Sequence, residues 1–145
     1  MTDDKIDSVT SLFNPDEVAS QRATSVWQSF GFATEGMLYV LRTQRNAKIH
    51  LCVSICVVLM GLFLGITATQ WAILFVMMGG VLAAEIMNAA IEAVVDLVSP
   101  DYHILAKIAK DTAAGAVFLL AIFSVIVGIF ILGPPLLLFV LSLFG

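Results

Sequence analysis

Residues 84–96 read Ala84-Glu85-Ile86-Met87-Asn88-Ala89-Ala90-Ile91-Glu92-Ala93-Val94-Val95-Asp96. Four polar side chains, Glu85, Asn88, Glu92 and Asp96, interrupt an otherwise apolar run at spacings of three, four and four. At about 100° per residue they fall near 0°, 300°, 340° and 20° on a helix, a single stripe. The chain around them decides what solvent that helix meets. Residues 51–84 contain no charged side chain. The whole chain is 60% hydrophobic and 12% charged, with a mean hydropathy of +1.01. A soluble domain is about half apolar and a quarter charged, so this excess calls for a membrane.

Outward from the stripe, the pattern predicts an all-α membrane protein. It has three transmembrane helices behind an N-terminal amphipathic surface helix. Residues 1–23 read as an acidic flexible tail. Its five acids against Lys5 and Arg22 account for −3 of the chain's −4, leaving −1 for the rest. A single membrane domain is expected over 24–133. Within it, 24–47 forms the surface helix, with Trp27, Phe30, Met37, Leu38 and Leu41 on one face, and Gly31 and Gly36 are candidate break points. Spans follow at 49–66, 71–98 and 104–132. The break between the first two lies at 65–70, and Trp71 is an interfacial anchor. Gly133-Pro134-Pro135 is expected to end the third span, leaving 134–145 as an apolar C-terminal extension. The 28 residues of 71–98 reach ~42 Å, longer than the hydrocarbon core, so the lower part of the stripe should emerge from it.

Arg42, Arg45, Lys48, Lys107 and Lys110 flank the starts of the first and third spans. Three spans put all five on one side, the cytoplasmic side by the positive-inside rule. The polar acidic start predicts no cleavable signal peptide, so insertion is expected from the internal segments. Nothing in the charge pattern points to nucleic acid. Cys52 and Cys56, four apart in an apolar run, read as buried inert thiols.

The stripe carries the chemistry. Three carboxylates within about three turns repel one another, and burial disfavours their charge. A hard cation relieves both, and Mg²⁺ commonly takes one or two carboxylates plus substrate phosphates. A deeper carboxylate suits removal of a proton from a substrate hydroxyl, and Lys110 suits neutralisation of phosphate charge. His50 has no partner at ligand spacing and reads as a bland interfacial residue. No phosphate-binding Gly-x-x-x-x-Gly-Lys loop occurs. A small proton or ion conductor whose stripe lines a path, or a membrane protein that only senses lipid, fits the same residues without nucleotide.

The string Glu85-x-x-Asn88-Ala89-Ala90-Ile91-Glu92-Ala93-Val94-Val95-Asp96, followed by Tyr102-His103 and Ala109-Lys110-Asp111, resembles the prokaryotic diacylglycerol kinase family, which includes undecaprenol kinases. Leu105 to Val117 looks closer to the undecaprenol kinase branch. The resemblance covers roughly residues 25–132. It implies ATP-dependent, Mg²⁺-assisted phosphorylation of a membrane lipid alcohol, diacylglycerol or undecaprenol. It also implies a homotrimer in the bacterial inner membrane with its site at the cytoplasmic face. Carried over by position, Glu85 would be catalytic and Glu92 a metal ligand. Asn88 and Asp96 would support them. Asp101, Tyr102, His103, Lys110 and Asp111 would bind nucleotide. One position departs: Gln44 stands where the family commonly has a second metal-binding glutamate. Its amide oxygen can still ligate a hard cation, but more weakly: either metal binding is altered, or Glu35 or a water compensates.

Overall fold

The computed structural model describes residues 25–99 and 101–144. The expected tail at 1–23 lies outside the described residues. Four helices follow in order: α1 (Val26–Thr43), α2 (Arg45–Leu64), α3 (Ala68–Val98) and α4 (Ile104–Ser142). Among the described residues there is no strand, and α2, α3 and α4 are each long and apolar enough to cross a membrane. The chain divides into one unit through Leu38 and a second from Tyr39 onward. Everything that bears on chemistry lies in the second.

In the first unit Trp27 and Phe30 sit one turn apart, ring centroids 6.3 Å from each other, both exposed. Gly31 and Gly36 do not break α1, which runs unbroken to Thr43. The interruption comes at Gln44, whose extended backbone (φ −86°, ψ 122°) separates α1 from α2.

The turn from α2 to α3 is tighter than expected. Gly65 adopts the left-handed conformation (φ 63°), which glycine takes without a side-chain penalty. The amides of Gly65 and Ile66 then both reach the Gly61 carbonyl. Thr67 caps α3 reciprocally with Gln70: its hydroxyl accepts from the Gln70 amide, and its own amide donates to the Gln70 side chain at 2.8 Å. This Thr-x-x-Gln capping box starts α3 at Ala68, three residues before Trp71. Trp71 folds back over α2, where a Cβ on Gly61 would lie 2.8 Å from its Cη2. Gly61→Val is therefore expected to destabilise the fold by about 1–3 kcal/mol through overpacking. A lowered thermal midpoint in detergent checks this, and an unchanged one refutes it.

The third span is where expectation and structure part. The helix does not stop at Leu132 but continues through Pro134 and Pro135 to Ser142. The prolines remove the donors to two carbonyls, those of Phe130 and Ile131. Stopping at Leu132 would instead strand a whole helix end, four carbonyls, in an apolar stretch. At the actual end three of those acceptors are met: Ser142 Oγ donates to Phe139, and the amides of Leu143 and Phe144 donate to Val140 and Leu141. The extension is thus part of α4, and Phe139 packs edge-on against Phe63 of α2 at 5.0 Å.

α3 packs most extensively against α4, with α2 against both. Leu74 and Met78 of α3 meet Ile131 and Leu132 of α4 in one core cluster, and Val40, Ala47 and Ala89 form another. Most other large apolar side chains are exposed, including Phe118, Ile129 and Phe130. In water such a surface would aggregate, whereas lipid or a second subunit covers it without cost. Cys52 and Cys56 belong to that exposed surface and are not buried.

Candidate functional site

The predicted stripe forms on α3 and grades from buried to exposed. Glu85 is 2% exposed and Asn88 7%, as deep as the core leucines, while Glu92 is half-buried and Asp96 exposed. Glu85 and Asn88 are the two buried polar side chains among the described residues. A buried carboxylate without function is costly to keep, which marks Glu85 as the residue to explain.

Glu92 sits two turns below Glu85, ~10 Å along the axis. Asn88 Nδ2 donates to its Oε1 at 2.9 Å, and Gln44 Nε2 donates to Oε2 at 3.4 Å. The break before α2 makes the second contact. Gln44 is the N-cap residue of α2, yet its side chain makes no cap bond and is free to cross to α3. The two expected metal ligands, 48 residues apart, are thereby brought together. No group of three His, Cys, Asp or Glu side chains gathers among the described residues, so a cation would not find an all-protein cage. One carboxylate flanked by two carboxamides fits the Mg²⁺ pattern of few protein ligands completed by phosphates and water. Rotating the Gln44 amide would turn a donor into a neutral oxygen ligand.

Asn88 Oδ1 is buried and has no hydrogen-bond partner. Such an acceptor costs about 1–3 kcal/mol unless a donor is supplied. Asn88 lines a cavity of about 250 Å³ with Glu85, Asn46 and His50, with Val117 and Phe118 on its α4 side. His50 is the residue that sequence reasoning passed over. Its spacing to Glu85 is meaningless along the chain, and only the packing of α2 on α3 brings it there.

At the exposed end, a cleft of about 370 Å³ gathers Asp96, Ser99, Asp101, Tyr102 and His103 with Lys107, Lys110 and Asp111. All five residues expected around a nucleotide line it, and Lys107 joins them. Lys110 is ion-paired with Asp96, and Lys107 with Asp111. Both pairs are solvent-exposed, and exposed pairs contribute about 0–1 kcal/mol, so an incoming phosphate can take either lysine cheaply. His103 caps α4, its Nδ1 accepting from the Leu105 amide at 3.2 Å.

Fold and site together define a helical integral membrane protein whose polar side chains descend from the bundle interior to one end. The chain matches the prokaryotic diacylglycerol kinase family over residues 31–132. It belongs to that family and is a lipid kinase. An undecaprenol kinase from Bacillus subtilis is 39% identical over 110 residues, spanning 76% of this chain and 89% of that protein. A diacylglycerol kinase from Synechocystis is 46% identical over 120 residues, spanning 82% and 69%. A diacylglycerol kinase from Escherichia coli is 48% identical over 46 residues, 32% of this chain and 38% of that one.

Proposed function

We propose that the protein transfers the γ-phosphoryl group of ATP, with Mg²⁺, directly to the hydroxyl of a membrane lipid alcohol, diacylglycerol or undecaprenol. The reaction would run at the cytoplasmic face of the bacterial inner membrane. The observation that carries this reading is the gradient along α3: a buried acid at one end, lysines and an open cleft at the other, and Glu92 held between them.

In this scheme the lipid hydroxyl enters the Glu85 cavity. Its O–H meets an acceptor in Glu85 or in Asn88 Oδ1, which has no donor from the protein. Glu85 takes the proton as the oxygen attacks phosphorus. Asn88 and Gln44 orient Glu92, the residue that with Gln44 would hold the metal. When bound, Mg²⁺ supplies charge neutralisation and alignment of the phosphates. Lys110 exchanges Asp96 for phosphate oxygen, while Asp101, Tyr102, His103 and Asp111 line the nucleotide cleft. Little else is needed, because phosphoryl transfer is catalysed mainly by positioning and electrostatics.

The starts of α2 and α4 and the end of α3 share one end of the bundle, joined by the Gln44–Glu92 and Lys110–Asp96 contacts. Arg45, Lys48, Lys107 and Lys110 therefore mark that end, which supports its assignment to the cytoplasm. A homotrimer, implied by the resemblance, would cover part of the exposed apolar surface. Purified protein given labelled ATP and each lipid alcohol in turn is expected to label one or both lipids. Ion flux without ATP dependence, and no labelled lipid, would replace this reading with the conductor.

A further inference from the structure

A proton taken up by Glu85 has to leave again before the next turnover. At 2% exposure its carboxyl cannot exchange freely with bulk water. The cavity around it offers few routes. Asn46 and Asn88 do not take up protons, and α4 contributes only Ala114, Val117, Phe118 and Ala121. Glu92 is two turns away along α3, and Asp96 is farther. On α2, Arg45 and Lys48 stand exposed nearer the helix start. That leaves His50, half-buried, on the α2 side of the cavity and one turn from exposed Asn46.

We propose, resting on the lipid kinase reading above, that His50 is the proton relay that resets Glu85 after each transfer. His50 also lines the neighbouring apolar groove of about 490 Å³ with Ile49, Val53 and Met78, so it stands where an apolar wall gives way to the polar cavity. The balance is simple. The lipid O–H and the bond from γ-phosphorus to the bridging oxygen break, and the lipid O–P bond forms. ADP departs with the bridging electron pair, and the proton rests on Glu85. A neutral imidazole accepts that proton on its free ring nitrogen and releases the other N–H proton towards water, returning Glu85 to carboxylate.

The test compares the intact wild type with His50→Ala and His50→Gln in lipid vesicles. It measures both the first turnover and the steady state, with and without added imidazole. Wild-type lipid phosphorylation in the same assay first establishes the kinase reading; its absence with both lipids would sink that reading and this inference with it. Given an active wild type, both variants are expected to keep the first transfer within about twofold and lose about tenfold or more in steady state. Imidazole should restore His50→Ala, whose cavity has room for it, and not His50→Gln. Steady-state activity of His50→Gln at the wild-type level, an equal loss in the first turnover, or a His50→Ala defect that imidazole leaves untouched would each overturn the relay.

Discussion

Glu85→Ala is expected to reduce lipid phosphorylation by about 10²–10⁴-fold, the usual weight of a general base. The side chain is as buried as the core residue Leu74, and its removal takes away an ionisable group that the apolar bundle holds at a cost. Folding should therefore survive or improve, and nucleotide should still bind at the cleft beyond Asp96. Glu85→Gln keeps the volume and separates proton transfer from packing. The measurement is lipid phosphorylation beside a thermal melt and nucleotide affinity. Turnover at the wild-type rate in either variant would end the assignment of Glu85 as the base.

The second large effect is expected at the Glu92–Gln44 pair. Glu92→Ala removes the carboxylate that both Asn88 and Gln44 approach, and should lower turnover by about 10²–10³-fold, as loss of a preorganised electrostatic group commonly does. Gln44→Glu should act in the opposite sense on the cation. A second carboxylate beside Glu92 raises the charge of the ligand set, and the Mg²⁺ concentration for half-maximal activity should fall by about tenfold. Without Mg²⁺ the same variant sets two carboxylates against each other where the wild type has a donor and an acceptor. Its melting point should then drop below wild type and recover as Mg²⁺ is added, a readout independent of turnover. A melt insensitive to Mg²⁺ would remove Gln44 from the ligand set.

These expectations differ in how far the sequence reaches towards them. The Glu85 stripe was readable because its four residues lie on one helix, where 100° per residue turns spacing directly into geometry. The clustering of lysines at the same end followed from counting spans. The relation of Gln44 to Glu92 came only from resemblance until the structure placed one amide against one carboxylate. His50 carried no signal at all: the acid whose cavity it shares lies 35 positions away on another helix, and no periodicity links residues across two elements.

The chain's own pattern determined the class: long apolar helices with one polar stripe have a single workable solvent, because an unpaired backbone group in lipid costs more than local propensity can offset. Pro134 and Pro135 show the limit of local reading. Taken alone they stop a helix, yet the end they would create is worse satisfied than the continuation to Ser142. Tertiary packing decided the rest. How α2 and α4 lie against α3 sets which stripe residues are buried, which acceptor lacks a donor, and that a histidine shares the acid's cavity. Such contacts arise from side chains meeting across helices, and the order of residues along one helix does not encode them.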